Sequence, residues 1–383
     1  MANTHIIDLF SGGGGWAAGL HLLGVDPATT LGFDNDVHAS ATHTAAGFPT
    51  VVGDLSATDL TQFTDVDGLI ASPPCQAFSL AGRGKGRENI GLLIEHIAAC
   101  VDGWLDLPAA LVAEDVRADL TLEPLRWACA LRPRWLAFEQ VPPVLPAWRA
   151  MKPVLEAWGY SVDVGLLSAE RYGVPQTRKR AILVARRDGV PARLPYPTHT
   201  SYNHRVPNNG RYAEGRGVWG PLLPWVSMAD ALGWGSEDHK YAAGTMANAA
   251  SRGMSEPAST IAFGHNANQH QWVTERPSTT VQTGSTITGP GHHAAFGVAP
   301  GTQTATGGGQ AAPGAAPTST EGVRVTTQQA AALQSFPEDW PWQGPRTAVY
   351  RQIGNAVAPL FGAAVLAQFV DVLWLSRKWH PNV

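Results

Sequence analysis

Through residues 1–185 short apolar runs alternate with longer stretches of helical periodicity, the pattern that strands and crossover helices leave in a parallel sheet. His5–Phe10, Thr30–Phe33, Thr50–Val52, Gly68–Ala71 and Trp135–Glu139 predict strands. Trp16–Leu23, Val37–Ala46 and Val144–Trp158 predict helices, and Tyr160–Leu167 with Ala181–Ala185 predicts a closing hairpin. Near Asp188 the character changes. From there to about Thr320 the chain is rich in Gly, Pro, Thr, Asn and His, which predicts a smaller, mainly β or irregular unit. Within it Pro257-Ala258-Ser259-Thr260-Ile261 recurs twenty residues later as Pro277-Ser278-Thr279-Thr280-Val281, too few copies for a solenoid. Thr304–Thr320 reads as a flexible linker. Helical patterning returns over Gln328–Ser335 and Leu360–Leu375, the last helix being expected to pack back on the first unit. The division is therefore 1–188, 189–322 and 323–383.

A chain of 383 residues with 44% hydrophobic and 15% charged residues has the composition of a soluble globular protein. The three cysteines, Cys75, Cys100 and Cys129, form no CxxC, so neither a disulfide framework nor a metal site is indicated and a reducing cytoplasm is expected. The start lacks a signal-like pattern, and no apolar run approaches the ~20 residues that span a membrane. Net charge is −4, which by itself does not announce a nucleic-acid binder. The cations nevertheless cluster, at Arg83-Lys85-Arg87 and Arg178-Lys179-Arg180, and local patches set phosphate contacts.

Candidate chemistry sits at the ends of the predicted strands. Ser72-Pro73-Pro74-Cys75-Gln76 puts a thiol after a buried strand, where open α/β sheets keep their ligand crevices. The segment that follows, through Ser79 to Arg87, is basic and glycine-rich, so a nucleophile beside a cationic flap points to covalent chemistry on an anionic polymer. Asp8-Leu9-Phe10-Ser11-Gly12-Gly13-Gly14-Gly15 follows a strand and opens a helix, the place of a nucleotide-binding loop. Asp34 could hold ribose hydroxyls and Asp54 an adenine amino group, or both could be helix caps and turn acids. Phe138-Glu139-Gln140-Val141-Pro142 places a carboxyl at another strand end, where partial desolvation would suit it as an acid. Gln176-Thr177-Arg178-Lys179-Arg180 adds cations, and Gln352-Ile353-Gly354-Asn355-Ala356-Val357 predicts a turn ahead of the last helix.

In this order, Asp8–Gly15, Pro74-Cys75-Gln76, Glu139, Arg178-x-Arg180 and Gly354-Asn355 resemble the motifs of DNA cytosine-5 methyltransferases over nearly the whole chain. The resemblance implies a Rossmann-like, S-adenosyl-L-methionine-dependent α/β fold with a smaller target-recognition domain at 189–322. It implies that Phe10, Ser11 and Gly12, Gly13, Gly14 and Gly15 cradle the cofactor's methionine part, with Asp34 and Asn35 at the ribose and Asp54 and Leu55 at the adenine. Pro74, Leu120, Asn355 and Ala356 would complete that site. Cys75 would be the nucleophile and Glu139 the acid that recognises the base, while Arg178 and Arg180 would support the pocket and the covalent intermediate. The target cytosine would have to leave the duplex stack.

The resemblance also implies double-stranded DNA as partner, a cognate restriction endonuclease, a monomer, and no metal. DNA contacts would come from Gln76, Ser79, Arg83, Lys85 and Arg87, and from Gln282, Thr283 and Gly284 in the second repeat. Alternatives are a tRNA cytosine-5 methyltransferase and a catalytically silent DNA-binding member. Ala77 in place of a proline, the long middle region and the absence of Cys-Phe-Thr favour DNA, and intact Cys75, Glu139, Arg178 and Arg180 favour activity. One departure stands out: the family's usual Glu-Asn-Val is here Glu139-Gln140-Val141. Asn89–Glu114 is longer than a minimal member needs.

Overall fold

The structure is a computed structural model that describes residues 5–74, 90–100, 119–203, 205–218, 220–233, 239–243, 250–253, 256–259, 270–277, 281–282, 286–287 and 320–370. Seven strands among them form one sheet: β1 (Ile6–Leu9), β2 (Thr30–Asp34), β3 (Thr50–Val52), β4 (Gly68–Ala71), β5 (Trp135–Gln140), β6 (Ser161–Ser168) and β8 (Lys179–Arg186), with the short β7 (Gln176–Thr177) outside it. Their order is β3-β2-β1-β4-β5-β8-β6. Neighbours from β3 to β5 pair parallel, while β8 runs antiparallel between β5 and β6. The predicted hairpin is present, and its second strand is the one that joins the sheet to β5. Chain order reverses between β1 and β4, so the crevice of an open α/β sheet opens at their carboxyl ends.

Alternation along the strands gives the sheet two apolar faces. Ile7, Leu9, Leu69, Leu136 and Phe138 face α3 (Ile90–Ala99), α4 (Glu123–Leu131) and α5 (Leu145–Ala157) through Leu93, Trp127, Trp148 and Met151. Ile6, Ile70, Ala137 and Ile182 face α1 (Gly15–Leu22) through Trp16 and Leu20. Gly68 is required by packing, since a Cβ there would overlap the Trp135 indole, which stacks on Phe369 with centroids 4.7 Å apart. The three predicted helices of the first half, found as α1, α2 (Val37–Ala45) and α5, follow their predicted bounds closely, while α4 has no predicted bounds.

The region after residue 188 holds α6 (Met228–Leu232) and short strands. β9 (Arg216–Gly217) pairs with β10 (Gly220–Pro221), and β11 (His239–Ala243), β12 (Ala250–Gly253), β14 (His270–Pro277) and β17 (Thr320–Arg324) form an antiparallel sheet. The two repeats part company. Ala258 and Ser259 of the first form β13, parallel to β7 of the first half, whereas Val281-Gln282 of the second forms β15 in a hairpin with β16 (Thr286–Ile287).

After β17 come α7 (Thr327–Leu333), α8 (Arg346–Asn355) and α9 (Pro359–Leu366). The segment expected to be a turn, 352–357, is instead the end of α8, because Val349 and Ile353 make a buried i, i+4 stripe and the chain turns extended only at Ala356. The last helix is shorter than expected, closing at Leu366. It packs on α1, where a Cβ at Gly19 would lie 2.9 Å from the Ala363 nitrogen. Among the described residues no helix is long and apolar enough to cross a membrane.

Candidate active site

The glycine loop lies at the crevice between β1 and α1, and its four glycines do different work. Gly12 is left-handed (φ +56°) with open space where a side chain would go. The other three are packed against the far end of the chain. Trp340 Nε1 donates to the Gly13 carbonyl at 2.9 Å, and a Cβ at Gly14 would lie 2.8 Å from the Trp340 ring. A Cβ at Gly13 would lie 3.0 Å from Gln352 and Trp342, and one at Gly15 would collide with the Val357 carbonyl oxygen and sit 2.8 Å from its amide nitrogen. Gly15→Ala is therefore expected to destabilise the fold by about 3 kcal/mol, because backbone cannot give way as a flexible side chain can. Urea unfolding of the variant beside Gly53→Ala, whose site is open and whose backbone is not left-handed, checks this.

Phe10 is left-handed at φ 58°, a strained state for a bulky residue, and is half-buried at the loop's start. Ser11 is buried, and its hydroxyl, without a partner among the described residues, lies 2.9 Å from where a Gly32 Cβ would be, beneath the loop. Asp34 ends β2. Its Oδ2 accepts from Gly12 N at 2.9 Å and its Oδ1 from Asp36 N at 2.8 Å, so it braces the loop while its other lone pairs remain. Burial raises the Asp34 pKa, and the amide donors of Asp36, Gly12 and Asn35 oppose that. Asp36 is the cap of α2, and Arg351 of α8 pairs with it. Asp54 caps a short turn by accepting from the Ser56 hydroxyl at 2.7 Å and amide at 2.9 Å, bonds that hold its pKa below the usual carboxylate range. Asn35 is exposed, Leu55 is core, and Leu120 is half-buried at the start of a 3-10 turn.

Behind the loop, Asp8 is fully buried with neither carboxyl oxygen hydrogen-bonded, 4.0 Å from His43 Nε2. Burial, reinforced by the Asp34 charge, pushes the Asp8 pKa well up. Burial also pushes His43 down to about 4, and does the same to His199. Both imidazoles are thus neutral in the fold but take up protons near 6.5 once the chain unfolds. The unfolded state then binds more protons, so stability falls as pH drops from about 6.5 towards 4. His199→Gln is expected to remove up to about 3 kcal/mol of that pH dependence, read from urea unfolding at both ends of the window.

The second wall joins β4 to β5. Trp16 Nε1 donates to Ser72 Oγ at 2.8 Å, fixing the chain as it leaves β4, and Pro74 is half-buried. Glu139, 6% exposed, is met by Arg180, whose Nε lies 2.7 Å from Glu139 Oε1 and whose Nη1 donates to the Lys179 carbonyl at 2.8 Å. Arg178 points elsewhere, with Nη1 donating to the Gly354 carbonyl at 3.1 Å. Gln176 Nε2 donates to Gln334 Oε1 at 2.6 Å, and Gln334 Nε2 to the Ala356 carbonyl at 2.7 Å. The two arginines, read together from sequence, thus divide: one holds the acid, the other ties β7 and β8 to α8. Ala356 is buried and Asn355 is exposed at the end of α8.

Cys75, Gln76, Ser79, Arg83, Lys85, Arg87, Thr283 and Gly284 lie outside the described residues, and Gln282 is described only as part of β15. The sequence does not single out Trp340 or Thr42, whose hydroxyl donates to Gln352 Oε1 at 2.7 Å, and it marks Gln352 only as part of the expected turn. The aromatic run Trp340-Pro341-Trp342 was the available signal for the first of them. Among the described residues no group of three or more His, Cys, Asp or Glu could hold a metal ion.

A doubly wound sheet with a glycine loop at its switch point and a buried acid–arginine pair defines an α/β protein whose ligand crevice lies at the carboxyl ends of its strands. The model of the family "C-5 cytosine-specific DNA methylase" matches residues 4–371, and the chain belongs to that family; it is a DNA cytosine-5 methyltransferase. It is 26% identical to the Type II methyltransferase M1.HphI of Haemophilus parahaemolyticus over 95% of this chain and 86% of the relative. It is also 26% identical to M.Eco47II of Escherichia coli, over 96% and 79%. In fold it is similar to the methyltransferase EhMeth of Entamoeba histolytica, with TM-score 0.56 and 14% identity over 96% of this chain and 98% of that one.

Proposed function

We propose that the protein methylates C5 of a flipped-out cytosine within a short duplex DNA sequence, through a covalent bond between Cys75 Sγ and C6. The observation that carries the reading is the Glu139–Arg180 pair, 2.7 Å apart and buried at the end of β5, beside the turn that leads from β4 towards Cys75. S-adenosyl-L-methionine fits the residues of the other wall: an open Gly12 at the amino end of α1, an Asp34 carboxylate with lone pairs to spare, and an exposed Asp54. Phe10, Gly12, Asp34 and Asp54 would hold it, and when bound it supplies an electrophilic methyl group.

The Cys75 thiolate adds to C6, and the electrons of the C5–C6 double bond move through C4 towards N3. Glu139 stabilises the charge arriving there by hydrogen bonding or proton donation, and Arg180 keeps the carboxyl in place. C5, now electron-rich, would take the methyl group, the bonding pair of the broken sulfur–methyl bond leaving on a neutral thioether. Loss of the C5 proton to a base then restores the double bond and expels the thiolate. Residues 1–188 and 323–383 form the catalytic unit in this reading, and 189–322 reads the DNA. The pairing of β13 with β7, next to Arg178, supports a recognition region attached to the catalytic face. The protein would act as a monomer, and the Type II designation of its relatives supports a cognate endonuclease. Tritiated methyl transfer to duplex DNA and to tRNA, with bisulfite sequencing of the DNA, tests this. Label at cytosine in one short DNA context is expected, and label on tRNA alone would overturn it.

A further inference from the structure

Gln140 stands where the family's usual motif has asparagine, and its side chain is fully engaged. Nε2 donates to the Pro73 carbonyl at 2.7 Å in a buried contact, and Oε1 accepts from Val141 N at 2.5 Å. Only 2% of the residue is exposed. Pro73 belongs to the chain leaving β4, two residues before Cys75, and the same segment is held from the other side by Trp16 on Ser72. Neither Pro73 nor Pro74 has an amide hydrogen, so the turn cannot be fixed by donors of its own. The Pro73 carbonyl must be held from outside, and Gln140 does so directly from the residue after Glu139. The β4–β5 ladder ends at Ala71 and Phe138, and beyond it one amide ties the segment leading to the nucleophile to the residue after the acid.

We propose that Gln140 is a positioning residue for methyl transfer, its extra methylene supplying the reach to the Pro73 carbonyl that the shorter asparagine would lack in this chain. The proposal rests on Cys75 as nucleophile and Glu139 as acid. An asparagine would fall short by about 1.5 Å, one carbon–carbon bond, and misplacement of about that size slows a reaction on the order of 100-fold.

The test measures the single-turnover rate of covalent adduct formation with 5-fluorocytosine duplex DNA in the presence of cofactor, together with duplex affinity. Wild type, Gln140→Asn, Gln140→Glu and Cys75→Ser are compared. Gln140→Asn is expected to form adduct ~30-fold or more slowly with duplex affinity within about twofold. Gln140→Glu keeps the volume and the bond from Val141 N, but its carboxylate repels the Pro73 carbonyl until it takes up a proton. Its rate relative to wild type is therefore expected to rise as pH falls, which a generally loosened fold would not do. Equal rates for wild type and Gln140→Asn, or a pH-independent ratio for Gln140→Glu, would overturn the proposal. Failure of wild type itself to form adduct would instead overturn the catalytic reading on which it rests.

Discussion

Cys75→Ser is expected to lower methyl transfer at least ~10⁴-fold while leaving duplex affinity within about twofold. A thiol ionises far more readily than a hydroxyl, and sulfur is intrinsically nucleophilic. A serine hydroxyl supplies almost no alkoxide, and nothing described in the crevice is placed to deprotonate one: the Glu139 carboxyl is engaged by Arg180. The substitution exchanges sulfur for oxygen and leaves the Trp16–Ser72 and Gln140–Pro73 contacts untouched, so binding should survive. Tritium transfer and gel-shift titration on the same preparation separate the two effects. Transfer within tenfold of wild type would sink the nucleophile assignment.

Arg180→Leu is expected to cost about 3–5 kcal/mol of stability and to reduce the rate by roughly 100-fold or more. Both partners of the ion pair are nearly excluded from water, at 10% and 8% side-chain exposure. Removing the guanidinium leaves a carboxylate without its countercharge in a poorly solvated place, and the loss is larger than the net value of the pair. Arg180→Lys should fall between, since an ammonium can supply charge to Glu139 but not the planar fork that also reaches the Lys179 carbonyl. The double variant Arg180→Leu with Glu139→Gln separates stability from chemistry. Unfolding free energy should largely recover, because no charge is left buried, while methyl transfer should stay low, because the acid is gone. Recovery of both would show that the pair is structural only.

The sheet was legible because its signal is local: each strand from β1 to β5 is an apolar run closed by Gly, Pro or Asp, and the helices between follow their own period. Glu139 and Arg180 were legible as motif residues, although which arginine meets the acid was not. A spacing of two would put Arg178 and Arg180 on one side of a strand, yet Arg178 falls between β7 and β8, and it reaches Gly354 whereas Arg180 reaches Glu139. That choice is made by α8, whose helical stripe was hidden behind the turn-like Gly354-Asn355. The packing of Gly13 to Gly15 was likewise invisible, because a glycine says that space is scarce without saying what fills it. Gln140 showed the reverse case: the departure was plain in sequence, and its use needed the position of the Pro73 carbonyl.

The wall of the glycine loop is contributed by Trp340, Gln352 and Val357, more than 320 residues after the loop itself. A ribosome therefore makes the cradle first and its backing last. Until that backing emerges, Gly13 and Gly15 lack the groups they pack against and Gly14 has only His43 and Ala17, and glycine is the residue with most freedom to lose. Methyl transfer competence thus waits for residues 340–357, and a nascent chain that has emerged only as far as β17 should transfer no methyl groups.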